Sequence, residues 1–464
     1  MIPLSLESVA AAVGGRLCDV PDAALLVTAP ATVDSRAVEP GGLFAALAGE
    51  HADGHAFAAE AVRAGAVAVL AARPVGVPAV VVDDVLDALA ALARRVLAAA
   101  PEAMVIGLTG SAGKTSTKDL IAQVLPGHGP TTATVKSFNG EIGMPLTITH
   151  LDRDVRYLVL EMGARGIGHI SRLTRIAPPA VGLVLNVGTA HVGEFGGREQ
   201  IARAKGELVE ALPAKGIAIL NADDPLVAAM ASRTRAQVMT FGTARGTDVR
   251  AVDMRLDPEG RASFTLVAAG CDARVSLNLH GPHHVSNALA AAAVAIGLGA
   301  DVEKTADALS RAVPVASGRM VVTDRSDRVR VINDAFNANP DSMEAALAAL
   351  QAMSGGRRTI AVLGEMKELG ADAVDGHRQV GRLVAAAGVD VLVSVGGTDA
   401  QAMADAAQDN APGLTVFGAR DRDEALTLAR DLIEPGDMVL VKGSHSVGLE
   451  HTAERLAQPD TVGG

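Results

Sequence analysis

Apolar positions along this chain fall into two rhythms. Short unbroken runs such as AVAVLAA, AMVIGLT, YLVLE and VGLVLNVG alternate with longer stretches in which apolar residues recur every three or four positions. A short run bounded by turn residues is the mark of a strand buried on both faces, and the longer rhythm is that of a helix with one apolar side. Their alternation predicts an α/β fold with mostly parallel sheets covered by helices.

The pattern divides into three stretches. In the first, AVAVLAA and AVVVDD read as strands, and residues 85–100 as a helix ending before Pro101. A second unit opens with the strand AMVIGLT (103–109), a glycine loop and the helix TSTKDLIAQVL, and continues with strands at 155–163, 181–188 and 216–224. Residues 248–280 alternate apolar and polar around PEG and AAG turns and predict antiparallel hairpins, with helices near 284–297 and 302–312 closing the unit. A third unit starts near Pro314. VRVINDAF, RTIAVLGEM, VDVLVSVG, LTVFG and DMVLVKGS read as strands, each followed by a helix, as in a Rossmann-like doubly wound domain. Asn339 is placed to cap a helix whose first residue is Pro340. The predicted domains are 1–100, 101–313 and 314–464, with ligands in the clefts between them.

Composition narrows the function. Aromatics are 2% of the chain and tryptophan is absent, so Val, Leu, Ile and Ala must build the cores. A formal net charge of −12 argues against nucleic acid as a partner; an anionic substrate must be met by local positive groups. Cys18 and Cys271 form no metal or redox spacing, which fits a reducing cytoplasm. The start, MIPLSLESVAAAVGG, lacks the basic region of a signal peptide, and ALAAAAVAIGLGA (288–300) is too short to span a bilayer. No membrane insertion is expected.

Chemistry concentrates at GLTGSAGKTSTK (107–118). This loop is shorter than the common phosphate loop, but Gly110, Ser111, Ala112 and Gly113 still let backbone N–H groups approach phosphate oxygens. The following helix start, with Ser116 in its first turn, adds partial positive charge. Lys114 can reach the β and γ phosphates, and the Thr115 hydroxyl can ligate Mg²⁺. Glu161, at the end of YLVLE, supplies a hard carboxylate for the same metal, and the position of His191 after a neighbouring strand offers a second metal site. Lys205 is the one charge on the helical face Ile201, Lys205, Leu208, Leu212. It either snorkels to water or points into the nucleotide site. His280, His283 and His284 have a zinc-like spacing without a fourth ligand.

Taken in order, TGSAGKTS, SFNGEIGMPLT, EMGA, NVGTAHVGEFG, AKGEL, HGPHHVSNALAA, SGRM and NDAFNANPDSM resemble the Mur ligases, the ATP-dependent amide-forming enzymes of peptidoglycan synthesis. VDSRAVEPGGLFAALAGEHADGHAF, VLGEMKELG and VKGSHSVG extend the resemblance to nearly the whole chain. NANPDSM, GEMKELG and KGS look most like the member that joins D-alanyl-D-alanine to UDP-N-acetylmuramoyl-tripeptide.

The resemblance implies ATP and Mg²⁺, with Lys114 and Thr115 on the triphosphate and metal, and Glu161 and His191 as metal ligands. It further implies a CO₂-derived carbamate on Lys205, Asn287 at adenine, Arg319 at the γ-phosphate and Asp334 at the ribose. Asn139, Asn337 and Asn339 fall near the substrates, and Ser35 and Arg36 in the module for the UDP-sugar. The N-terminal domain then binds the UDP-sugar, the central one ATP, and the third is expected to close over the bound nucleotide. A cytoplasmic monomer is expected. The chain departs from the family pattern at Asn139-Gly140, at His283-His284-Val-Ser-Asn287 and at Phe336, where tyrosine is usual. Rival readings are a paralogue using another amine or a dipeptide analogue, and a P-loop regulator that ligates nothing.

Overall fold

A computed structural model describes residues 1–49, 52–135, 137–189 and 192–458. Three main sheets follow one another along these residues, with five, nine and six strands, and a short pair joins Leu4–Ser5 to Leu26–Val27.

In the nine-stranded sheet, Met104–Thr109 lies between Val181–Val184 and Tyr157–Glu161, all parallel. Tyr157–Glu161 is buried along its whole length, as a strand covered on both faces must be. Its side chains alternate between two cores: Leu158 and Leu160 on one face, Tyr157 and Val159 on the other. The second face is covered by Lys114–Val124 and by His284–Gly297, whose run of buried alanines lets the helix lie close to the strands.

The first face shares a single core with the N-terminal stretch, since Leu4, Leu6, Val9, Leu89, Leu92 and Val96 pack in the same cluster as Leu158 and Leu208. Ile2 N–H donates to the Leu151 carbonyl at 2.9 Å and Ala31 N–H to Thr149 Oγ1 at 3.1 Å, so the chain start is fastened to the central sheet.

The alternating stretch after residue 248 forms Val249–Leu256, Arg261–Ala268 and Cys271–His280, antiparallel as expected. These strands are not a separate sheet: Gln237–Gly242, which the apolar pattern does not reveal, pairs with Val249 and Arg250 and joins them to the parallel strands. The third sheet runs Val321–Asp324, Arg330–Asn333, Met438–Lys442, Thr359–Gly364, Val391–Val395, Thr415–Ala419, antiparallel only at its first pair. Asn339 caps Pro340–Ser354 in a reciprocal box with Ser342, with Pro340 at the first turn.

Candidate active site

An open parallel sheet places functional groups at the carboxyl ends of its strands. Here three adjacent central strands deliver the glycine loop, Glu161 and the segment containing Asn186 to one crevice. The third sheet faces it with the ends of Arg330–Asn333 and Met438–Lys442, carrying Asp334 and Lys442. The cleft between them has a volume of about 1100 Å³, and Val33 and Leu86 from the N-terminal stretch also line it.

The loop is held in shape from beneath. Asn186 Oδ1 accepts from the N–H groups of Ser111 and Ala112, both at 2.9 Å. Lys114 Nζ donates to the Gly110 carbonyl at 2.8 Å, curling over the loop. Gly113 has φ +78°, and a Cβ there would lie 2.6 Å from Asn287 Oδ1, so both backbone and space require glycine. Asn287 is thereby packed against the loop, next to His284 at 3.3 Å.

Thr115 Oγ1 donates to Glu161 Oε2 at 2.9 Å, and Asn139 Nδ2 to Glu161 Oε1 at 2.7 Å. Ser137 Oγ stands 3.1 Å from Thr115 Oγ1 and accepts from Arg319 Nη2 at 3.3 Å, linking the third unit to the loop. Arg319 Nε and His283 Nδ1 are buried without a hydrogen-bond partner among the described residues, and both residues line the cleft.

Lys205 does not snorkel: it is 3% exposed and lines the cleft. Burial, reinforced by the charge of Lys114, pushes its amine well below the usual lysine range. Lys114 is lowered by burial, with Glu161 opposing and Arg319 adding to the shift. Arg319 is lowered by burial against the pull of Glu161 and Asp334. Lys114 and Arg319, two half-buried cations, thus face the buried Glu161 in one cleft, an arrangement that suits a polyphosphate. Glu207 points away, as its position on the helix predicts. Its carboxylate accepts from Gly168 N–H at 2.6 Å and Ser171 N–H at 2.9 Å, capping the start of His169–Ile176.

The other expected residues divide. Ser111 to Ser116, Asn139, Asn287, Arg319, Asp334, Asn337 and Asn339 line the cleft. Asp334 is engaged by Lys442 Nζ at 2.6 Å and by Met320 N–H at 3.1 Å. The Asn339 side chain is committed to its helix cap. Ser35 and Arg36 lie outside the cleft lining; Ser35 Oγ donates to Glu60 at 3.4 Å, and exposed Arg36 pairs with Asp34. His191 lies outside the described residues.

The three histidines do not converge as a ligand set among the described residues: His280 bonds the Glu259 carbonyl at 2.7 Å, and His283 packs on His284. The third unit touches the central one in this structure. Besides Arg319, Gly193 meets Gly370 so closely that a Cβ on it would lie 2.4 Å from Gly370 N, and within the central unit Gln123 exchanges amide hydrogen bonds at 3.0 and 3.1 Å with Val313, the last residue before the third unit. Asn186, Ser137 and Lys442 were not singled out from sequence; each sits in a quoted motif, but only the loop's own geometry gives them work.

Three family profiles match in chain order: Mur ligase family, catalytic domain, over residues 31–97; Mur ligase middle domain, over 108–295; and Mur ligase, glutamate ligase domain, over 318–445. The chain belongs to the Mur ligase family, the class that its fold and cleft define. It is 47% identical to the UDP-N-acetylmuramoyl-tripeptide--D-alanyl-D-alanine ligase of Mycobacterium tuberculosis, covering 100% of this chain and 99% of that protein. Among solved structures it superimposes on MurF from Acinetobacter baumannii with a TM-score of 0.88 at 32% identity, covering 98% and 99% of the two chains. It also superimposes on MurF ligase from Thermotoga maritima in complex with ADP, with a TM-score of 0.80 at 29% identity, covering 93% and 97%.

Proposed function

We propose that this chain is the ATP-dependent ligase that joins D-alanyl-D-alanine to the C-terminal carboxylate of UDP-N-acetylmuramoyl-tripeptide. The observation that carries the reading is the single cleft lined by the glycine loop and Glu161 on one side and by Arg319, Asp334 and Lys442 on the other. The named ligase activity of full-length relatives supports it. The domains are 1–100 for the UDP-sugar, 101–313 for ATP and 314–464 for closing the site. The enzyme works as a cytoplasmic monomer; no helix among the described residues is long and apolar enough to cross a membrane.

A carboxylate is a poor electrophile, so the reaction runs in two steps. A carboxylate oxygen of the tripeptide attacks the γ-phosphorus of ATP, the bond to ADP breaks, and an acyl phosphate forms. The amine of D-alanyl-D-alanine then attacks the acyl carbon, phosphate departs, and the nitrogen gives up a proton. Phosphoryl transfer needs positioning and charge neutralisation. The N–H groups that follow Ala112 at the helix start, with Lys114 and Arg319, supply both, and the seated third unit keeps water from the acyl phosphate. Thr115, Glu161 and, when carbamylated, Lys205 are an all-oxygen donor set that fits Mg²⁺. The metal, when bound, draws charge from the phosphate oxygens. The family resemblance adds the His191 imidazole nitrogen as a further ligand.

The test is phosphate release with purified enzyme. Release should need ATP, the UDP-muramoyl tripeptide and D-alanyl-D-alanine together, with the amide product identified by mass. Turnover indifferent to both substrates would make the protein a nucleotide-dependent regulator. A better rate with a single diamino acid would make it a paralogue.

A further inference from the structure

The segment 186–189 is gripped from two sides. On one side it holds the phosphate loop, through the Asn186 bonds to Ser111 and Ala112 and through Gly188 N–H, which donates to Ser111 Oγ at 2.9 Å. On the other side Asp341 Oδ2 accepts from Thr189 N–H at 2.7 Å and from Thr189 Oγ1 at 2.9 Å. Asp341 belongs to the third unit, in the first turn of Pro340–Ser354, where the helix start favours a carboxylate and the Asn339 cap fixes its direction. A Cβ on Gly188 would lie 2.2 Å from Asp341 Oδ2 and 3.4 Å from the Ser111 Cβ, so only glycine allows the two sides to approach this closely.

We infer that Asp341 is a positioning residue: through Thr189 and Gly188 it couples the seating of the third unit to the shape of the phosphate loop. An acid in a cleft built for a polyanion opposes nucleotide binding by charge alone. Its two donors from Thr189 offset this and turn the carboxylate toward the protein. The clasp brings Arg319 and Asp334 into register only when the loop has the form that Ser111 reports. Asp341 therefore acts on the step that needs both units and leaves the hold of the central unit on nucleotide nearly unchanged.

The kinetic readout rests on the ligase reading above, so it is paired with one that does not. Asp341→Ala is expected to lower kcat about tenfold or more, the worth of charge-assisted hydrogen bonds, with the KM for ATP within about threefold of wild type. Asp341→Asn should fall between. Amide hydrogen exchange of the ADP-bound protein should rise at 186–189 and in the glycine loop in the alanine variant. Thr189→Val, which leaves the helix cap intact, should lower kcat in the same direction. The double variant should be no slower than Asp341→Ala alone. Wild-type kcat and exchange in Asp341→Ala would overturn the inference, as would a rise in KM with kcat unchanged, or additive losses in the double variant. If wild type itself makes no amide while exchange rises in Asp341→Ala, the clasp stands and the ligase reading falls.

Discussion

The Arg319 guanidinium carbon stands 4.3 Å from the centroid of the Phe336 ring. Across the cleft, Arg319 Nη2 donates to Ser137 Oγ of the central unit. The ring, itself 5.6 Å from His445, forms the floor that keeps the guanidinium aimed across the cleft. A tyrosine would keep this face, so the phenylalanine that departs from the family pattern preserves the contact and gives up a hydroxyl.

Phe336→Tyr is therefore expected to retain activity, and Phe336→Leu to lose the cation–π contact, about 1 kcal/mol or roughly fivefold in kcat/KM. Steady-state kinetics with ATP as the varied substrate decides it. Equal activity of the leucine variant would mean that the ring does not orient Arg319.

Lys114→Ala is expected to lower ligation by about a hundredfold or more, since it removes a donor aimed at developing phosphate charge. Thermal unfolding should stay near wild type, because the amine removed is buried and its charge is disfavoured there. Normal turnover in a normally folded variant would refute the phosphate assignment.

Much of this site is legible because its chemistry sits at strand ends, where apolar runs stop and a glycine, carboxylate or asparagine follows. Gly113, Lys114, Thr115 and Glu161 all have that local signature. Asp341 and Gln123 have none: an acid in a first helical turn and a glutamine on an exposed helix face are ordinary, and only the tertiary approach of Thr189 and Val313 gives them partners. Gln237–Gly242 stayed hidden because its burial is partial and its apolar run is broken by Thr240. The single core shared by the N-terminal stretch and the central sheet is equally silent in sequence, since apolar periodicity tells which face is buried and not against what.

Asn339 separates a structural role from a substrate role. Its side chain accepts from Ser342 N–H at 2.9 Å, so Asn339→Ala should cost about 1 kcal/mol of stability. Asn339→Ser preserves a cap and should preserve stability and the KM for the acceptor dipeptide. A serine variant with normal unfolding and a raised acceptor KM would show that the amide also meets substrate.

Lys205 brings burial, pH and catalysis together. In carbon-dioxide-free buffer without metal, its amine is buried and titrates well below the ordinary lysine value. Between its folded pKa and that ordinary value, the unfolded chain binds one more proton than the native one. Stability then rises with pH through this window, by about 1.4 kcal/mol per pH unit from this group. Below the folded pKa both states are protonated and this slope vanishes. Lys205→Met keeps the volume and removes the titration, so its stability should be flatter across the same window and should exceed wild type at its lower end. Equal slopes would show that Lys205 keeps its charge. The neutral amine is also the form that adds CO₂. Under the proposed function, a carbamate there would put two anionic oxygens beside Lys114 in place of the amine and complete an oxygen donor set. The methionine variant should therefore be more stable and nearly inactive. Labelled bicarbonate should give wild type a carbamate carbon signal in NMR that the variant lacks. A fully active Lys205→Met enzyme would leave the lysine with a packing role alone.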